Sequence, residues 1–134
     1  MPQGGIILAT VRAEAGDYKG ALQTAETYCP ESKLGYANIA FAHAKAGDFT
    51  GALEIAEKLK DRVVRPRPGE QPRQVPEWWK LQILEATAAL QAQRGEAKAA
   101  LEWIGRLDSH LARAYALKGI AEGTLRATRP PGKK

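Results

Sequence analysis

The side chains best suited to catalysis or metal binding are few and isolated. His43 and His110 are the only histidines, and neither has a second ligand three or four positions later, as a helical metal site would need. Asp108, Ser109 and His110 are adjacent in sequence, but a catalytic triad needs side chains that converge in space. Cys29 is the only cysteine, and its thiol is either buried and inert or mildly activated by a following helix. We therefore expect no enzyme activity, no metal site and no cofactor.

Positive charge is concentrated in one segment and at the C-terminal end of this chain, whose net charge is +5. Such clusters form either a solvated surface or a site for nucleic-acid phosphates, because clustered Lys and Arg release counterions. Aromatic residues are not interleaved with these charges, as a platform for single-stranded nucleic acid would require. The candidate phosphate-binding residues are Lys58, Lys60, Arg62, Arg65, Arg67 and Arg73.

A proline-rich segment and a tryptophan pair interrupt the middle of the chain. Residues 64–76 contain four prolines and one glycine, so they cannot be helical throughout. They form either a surface loop that lengthens one connection or a functional loop that carries binding residues. Trp78 and Trp79 follow, and neighbouring residues on a helix point about 100° apart. One can therefore enter the core while the other stays near the surface, where Trp78 is a candidate anchor for a protein partner.

The composition favours a soluble, all-α protein of one domain. Hydrophobic residues make up 44% of the 134 residues and charged residues 26%, with strong helix formers dominating. No segment approaches the roughly 20 apolar residues of a membrane helix. The first eleven residues carry no Lys or Arg and only a short apolar run, unlike a secretory signal. We expect a cytoplasmic protein without a membrane partner.

A repeated signature predicts three helical hairpins. Gly16, Gly47 and Gly95 are each followed by an acidic residue and then by a small residue and leucine. The intervals between these glycines are 31 and 48 residues, so the second is the same period with 17 residues inserted. Glycine ends a helix in the left-handed conformation, and the acidic residue can cap the next helix. The predicted helices cover 3–15, 18–28, 31–46, 49–63, 77–94, 97–107 and 110–127.

The second hairpin shows the most specific order of residue types. An aromatic, an aliphatic and a small residue precede its glycine, and an aromatic and two small residues follow it. These residues are Tyr36, Ile39, Ala40, Gly47, Phe49, Ala52 and Ala56. Their order and spacing resemble the tetratricopeptide repeat, with His43 at a position where that family usually has an aromatic residue.

This resemblance implies an α-solenoid of about three and a half antiparallel helical hairpins. The domain would cover 1–129, followed by a disordered basic tail over 130–134. Within the domain, the units would be 2–30, 31–63 and 77–107, with a closing helix at 110–127 and the proline-rich loop inserted at 64–76. A hairpin cannot bury its own apolar face, so stacked neighbours would supply the core.

Solenoids of this family present the first helix of each hairpin along a concave surface that binds other proteins. The aligned candidate partner-binding residues are Leu34, Ala37, Phe41, Lys45, Gln82 and Glu85. Further aligned positions are Ile6, Thr10, Ala13 and Glu14 in the first unit, Ala44 in the second, Ala89, Ala92 and Gln93 in the third, and Lys118, Glu122 and Arg126 in the last helix. The resemblance thus implies a non-catalytic scaffold or adaptor whose partner is a protein or peptide.

Two other partners are open at this point. An RNA- or DNA-binding helical repeat would use the basic residues of 58–73 together with the C-terminal tail. The apolar face of the first helix, formed by Ile6, Leu8 and Val11, also needs burial. A homo-oligomer through the N-terminal helix, docking to a larger complex, or a longer solenoid would each supply it.

Overall fold

The computed structural model describes residues 2–65 and 67–128. These residues form seven α-helices and one two-stranded antiparallel sheet, so the predicted helical class and the number of helices are confirmed for the described part of the chain. None of the helices is both long and apolar enough to cross a membrane. The elements are α1 (Pro2–Glu14), α2 (Tyr18–Tyr28), α3 (Lys33–Lys45), α4 (Phe49–Lys58), β1 (Arg62–Val64), β2 (Arg73–Val75), α5 (Trp78–Gln93), α6 (Ala97–Gly105) and α7 (His110–Thr128).

Three equivalent glycine turns connect α1 to α2, α3 to α4, and α5 to α6. Gly16 and Gly47 have φ of 90° and Gly95 has φ of 84°, a conformation that only glycine adopts at low cost. At the second turn, the N–H of Gly47 donates to the carbonyl three residues earlier at 3.0 Å. The N–H of Asp48 donates to the carbonyl five residues earlier at 2.8 Å. This pair of bonds satisfies carbonyls that the end of a helix otherwise leaves without partners.

The acidic residue after each glycine begins the next helix. Asp17 and Asp48 each accept a hydrogen bond of 3.0 Å from the backbone N–H three residues later, which caps α2 and α4. Glu96 occupies the third equivalent position but makes no such bond to α6. The repeated signature therefore corresponds to a glycine turn at all three places. It corresponds to a side-chain N-cap at two of them.

Helices contact only their near neighbours along the chain. The first helices of the hairpins, together with α7, form a row in which α1 contacts α3, α3 contacts α5, and α5 contacts α7. Each second helix (α2, α4 or α6) contacts its own first helix and the first helix that follows. Among the described residues, α2 does not contact α4, and α4 does not contact α6.

Small residues fill most of the core. Ala9, Ala40 and Ala88, at equivalent positions of α1, α3 and α5, are completely buried, and the bulkiest side chains that are fully buried are no larger than Ile39 and Ile83. Because alanine has a short side chain, it allows helix axes to approach closely. The core is therefore narrow, and each helix depends on close contact with its neighbours.

Helix α7 approaches α5 most closely through two glycines. A Cβ atom added at Gly119 would overlap the backbone carbonyl oxygen of Glu85, and one added at Gly123 would overlap that of Ala89. The two helices therefore pack backbone against backbone, and Gly119 and Gly123 are buried.

The segment between α4 and α5 differs from the sequence prediction. We predicted a helix over 49–63 followed by a loop over 64–76, but α4 ends at Lys58 and two short strands follow. Leu59 is buried in an extended conformation, with φ of −88° and ψ of 97°, and this ends the helix. The remaining helix boundaries lie within two residues of those predicted. The predicted disordered tail over 130–134 lies outside the described residues.

The two strands form a β-hairpin, and neither strand contacts a helix within residues 2–65 and 67–128. Arg62 pairs with Val75 and Val64 pairs with Arg73 in an antiparallel register. Both valines are half-buried and both arginines are exposed. β-branched residues favour extended backbone, which accounts for strands here once the helix has ended.

Candidate partner-binding groove

The histidine that interrupts the apolar face of α3 has a packing role. His43 is buried and stacks on Tyr18 at the start of α2, with ring centroids 3.7 Å apart. Its Nδ1 lies 2.7 Å from Oδ2 of Asp48. The backbone N–H of Gly51, and then His43, hold the pKa of the Asp48 carboxyl below its usual value. His43 therefore packs between the first two hairpins.

The other isolated polar residues also have structural surroundings. Cys29 is buried, and burial raises the pKa of its thiol, which opposes the activated alternative. Ser109 accepts a hydrogen bond of 3.2 Å from the N–H of Ala112 and so caps α7, while His110 is exposed beside Arg113. Within residues 2–65 and 67–128, no three His, Cys, Asp or Glu side chains converge as metal ligands.

A groove of about 320 Å³ lies between three helices of the first-helix row. Each helix contributes residues spaced three or four positions apart, which places them on one helical face. The lining residues are Phe41 and Lys45 from α3, Gln82, Glu85, Ala86, Ala89 and Leu90 from α5, and Glu122 and Arg126 from α7. The groove therefore exists only because α3, α5 and α7 are neighbours.

The groove brings together four of the seven predicted partner-binding residues. These are Phe41, Lys45, Gln82 and Glu85. Leu34 and Trp78 are exposed but do not line the groove, whereas Trp79 packs against the core. Ala37 is completely buried beneath the surface and so lies out of reach of a partner. Prediction from aligned positions thus located the centre of the groove but not its limits.

Two residues that line the groove were not predicted from the sequence. Ala86 and Leu90 lie four and eight positions after Gln82, so helical spacing from Gln82 could have identified them. Glu122 and Arg126 on α7 were aligned with the concave surface, and both line the groove. Contact between α7 and α5 brings these last two side chains to the same site.

Two carboxyl groups meet on the floor of the groove. The Glu85 side chain is mostly buried, neighbours Glu122, and lies 3.6 Å from Nζ of Lys118. Burial raises the pKa of Glu85 most, the neighbouring Glu122 raises it further, and Lys118 opposes both. Lys45 and Arg126 are exposed at the same groove. The site therefore offers a hydrogen-bonding acidic floor, an apolar wall at Phe41 and Leu90, and basic groups open to solvent.

A second groove of about 390 Å³ lies on the side of the second helices. It is bounded by α4, α5, α6 and the start of α7, and its apolar lining includes Leu53, Leu84, Trp103 and Leu107. The indole N–H of Trp103 donates to Oε1 of Gln91 at 2.8 Å, which fixes the ring against α5. No sequence motif predicted this groove, which lies where α4 and α6 do not contact each other.

The six predicted phosphate-binding residues are all exposed. Lys58 ends α4, Lys60 follows it, and the four arginines belong to the β-hairpin and its turn. Arg65 and Arg67 line a concavity of the turn, where Nε of Arg67 lies 3.9 Å from Oε1 of Glu70. The positions after Thr128 lie outside the described residues, so a shared face with the tail stays a prediction. Arg126, near the C-terminal end of α7, lines the groove between α3, α5 and α7.

Comparisons with known proteins identified no relative of this chain. No protein-family model, no curated protein and no solved structure matches the chain. A functional assignment rests on the grooves and the β-hairpin described above.

Proposed function

We propose that the chain is a non-catalytic protein-interaction scaffold of the tetratricopeptide-like α-solenoid type. Its groove between α3, α5 and α7 binds a peptide segment of another protein. The observation that carries this proposal is the convergence of Phe41, Lys45, Gln82 and Glu85 on one groove, together with two residues of α7. Those four positions come from two different hairpins, so the groove is a property of their stacking.

The contacts among the helices support a solenoid. In such proteins each repeat touches only its neighbours, and the core continues from one repeat to the next. Here each first helix contacts the next first helix, and contacts between α2 and α4 or α4 and α6 are absent among the described residues. Extra hairpins would extend such a row without altering the hairpins already present.

The chemistry of the groove suits a peptide that carries both apolar and charged side chains. Its volume of about 320 Å³ is at the small end of the range of ligand pockets, enough for one or two side chains. Phe41 and Leu90 are half-buried and offer an apolar surface for an anchor residue. Glu85 and Glu122 can accept hydrogen bonds, and the exposed Lys45 and Arg126 favour approach of acidic groups.

Affinity capture from a native cell lysate, with matched variants, tests this function. Lys45→Glu reverses a charge in the groove, and Lys98→Glu makes the same change on the exposed surface of α6. We expect a discrete protein that survives moderate salt on the wild type and on Lys98→Glu, and at least ~10-fold weaker retention on Lys45→Glu, about 1.4 kcal/mol. Equal retention of that protein by all three chains would reject the groove as the binding site.

The β-hairpin supports nucleic-acid binding as a second candidate. Arg62, Arg65 and Arg73 are exposed and form no ion pair among the described residues. If this candidate is right, the captured material contains nucleic acid, and retention falls steeply as salt rises because bound counterions are released. The double variant Arg62→Glu/Arg65→Glu would then abolish retention, whereas Lys45→Glu would leave it nearly unchanged.

A further inference from the structure

The second groove lies at one of two equivalent junctions between second helices. At the first junction α2 and α4 flank α3, and at the second junction α4 and α6 flank α5. In both, the flanking helices contact the first helix between them and do not contact each other among the described residues. The repeat offsets therefore pair each residue that lines the second groove with a residue at the first junction, which serves as its reference.

Two large aromatic side chains at the first junction are replaced by smaller ones at the second. Tyr36 of α3 and Trp79 of α5 are half-buried and pack against the core. Their equivalents are Leu84 of α5 and Ala112 of α7, and both line the second groove. The groove of about 390 Å³ is thus found where the chain has exchanged two rings for an isobutyl and a methyl group.

The apolar walls of the second groove are more accessible than their counterparts. Ile55 and Leu59 at the first junction are each only 4% exposed, whereas their equivalents Trp103 and Leu107 are half-buried. Trp103 is larger than Ile55, but its bond to Gln91 holds the indole against α5. The ring therefore forms a wall of the groove and does not fill it.

The surroundings of Tyr36 show which chemistry suits such a space. Burial raises the pKa of the Tyr36 hydroxyl most, and the nearby Glu26, Cys29 and Glu31 raise it further. Glu26 and Glu31 are exposed, so the side chain extends from α3 with its ring against the core and its hydroxyl toward the surface. At the second junction the equivalent of Glu26 is Glu57, which lines the groove.

We propose that the second groove is a binding site for a small uncharged phenol, whose ring packs between Leu84 and Trp103 and whose hydroxyl donates to the Glu57 carboxylate. The charged lining residues cancel, which favours an uncharged ligand; they are Glu57, Asp108, Lys80 and Arg106. The volume is within the range of small-molecule sites. This site goes beyond the proposed function and does not rest on it, because the two grooves share no lining residue.

The direction of entry favours a free phenol over a tyrosine side chain of a partner protein. Leu84 is 2% exposed and forms the floor, whereas Glu57 is exposed at the rim. A tyrosine side chain entering from solvent would bring its hydroxyl against Leu84, and burying a hydroxyl without a hydrogen bond is unfavourable. A free phenol can enter with its apolar end first and leave the hydroxyl at the rim.

NMR titration of the full chain with p-cresol (4-methylphenol) tests the proposal. The indole N–H signal of Trp103 should shift and saturate, with a Kd of about 1 mM or tighter. The signal of Trp78, which is exposed and does not line the groove, should shift little. Glu57→Gln should weaken p-cresol binding at least about 3-fold, because a charged acceptor binds a hydroxyl more strongly than a neutral one. 4-Methylanisole, which has no hydroxyl to donate, should bind weakly to both chains.

Two variants that fill the groove locate the site. Leu84→Tyr restores the first junction's ring and should weaken p-cresol binding at least about 10-fold, with Ala112→Phe as a second filling variant should the first not fold. Circular dichroism melting checks the folding of both. Leu101→Tyr adds the same ring on α6 outside the groove, where the leucine is 48% exposed, and should bind p-cresol like the wild type.

Four results would overturn the proposal. The first is an unchanged Trp103 signal at about 10 mM p-cresol, where even millimolar binding is nearly saturated. The second is undiminished binding by a folded groove-filling variant. The third is equal affinity for p-cresol and 4-methylanisole, which would mean that any apolar group suffices. The fourth is tighter binding of N-acetyltyrosinamide than of p-cresol, which would assign the groove to a tyrosine side chain of a partner.

Discussion

Asp48 connects three groups at the turn between α3 and α4. Its Oδ1 accepts the N–H of Gly51 at 3.0 Å, and its Oδ2 lies 2.7 Å from Nδ1 of His43, which stacks on Tyr18 of the preceding hairpin. Asp17 caps α2 through the same bond to Gly20, but the residue equivalent to His43 is the exposed Arg12. One carboxylate therefore caps a helix and also orients a side chain that joins two hairpins.

Replacing Asp48 by alanine should cost more stability than replacing Asp17 by alanine. Loss of an N-cap costs about 0.5–2 kcal/mol in either case, and Asp48→Ala also leaves the buried His43 without its partner. The pKa of Asp48 is lowered from 3.8 in the folded chain, so its carboxylate stabilises the fold above that pH. This contribution is lost as the pH falls below 3.8 through the folded pKa.

Urea unfolding of the wild type and both variants, at neutral pH and then in steps to below pH 3.8, measures these differences. The excess cost of Asp48→Ala over Asp17→Ala should shrink on acidification. If the two variants unfold alike at neutral pH, or if their difference does not change with pH, the ionised Asp48–His43 contact does not stabilise the fold.

At the scale of the element, α7 depends on two positions without a side chain. Alanine at Gly123 would improve helix propensity by about 1 kcal/mol, but its Cβ would overlap the carbonyl oxygen of Ala89. A backbone atom of a neighbouring helix cannot move aside as a flexible side chain can. We therefore expect Gly123→Ala to lower the free energy of unfolding by about 1–3 kcal/mol, the usual cost of overpacking.

Gly105 provides the matched control for this prediction. It is the last residue of α6, is exposed, and has no atom within 4 Å of an added Cβ. Gly105→Ala should therefore be neutral or slightly stabilising in the same chemical denaturation experiment. A Gly123→Ala variant as stable as Gly105→Ala would mean that α7 can move away from α5 at little cost.

The local parts of the fold were predictable because their causes are local. Gly16, Gly47 and Gly95 end helices through their own backbone conformation, and Asp17 and Asp48 cap through residues three positions later. The end of α4 was not predictable in this way. Lys60, Asp61 and Arg62 continue a helix-compatible pattern, and burial of Leu59 in extended form is decided by packing against the rest of the molecule.

The candidate groove was only partly predictable for a similar reason. Alignment of the repeats placed Phe41 and Glu85 on the side of their helices that lines the groove. It could not tell that Ala37, one turn before Phe41, lies beneath the surface, because that depends on how closely α3 and α5 approach. The alignment also did not identify Gly119 as a contact residue, because the sequence of α7 does not show which helix backbone Gly119 packs against.

Contacts between neighbours make stability vary along the whole molecule. Helix α5 contacts α3, α4, α6 and α7, whereas α1 contacts only α2 and α3 among the described elements. The outer face of α1 is exposed at Ile7 and Val11, so opening this helix breaks few contacts. In a chain with this arrangement, an end hairpin can open while the middle of the row stays folded.

Native-state hydrogen exchange should therefore report a lower opening free energy for α1 and α2 than for α5. A difference of at least about 1 kcal/mol is expected, because local openings range from near zero up to the free energy of global unfolding. Amides of α5 should then exchange with the strong urea dependence of global unfolding and those of α1 with a weaker one. If both helices exchange with the same free energy and the same urea dependence, the seven helices unfold as one cooperative unit in spite of their neighbour-only contacts.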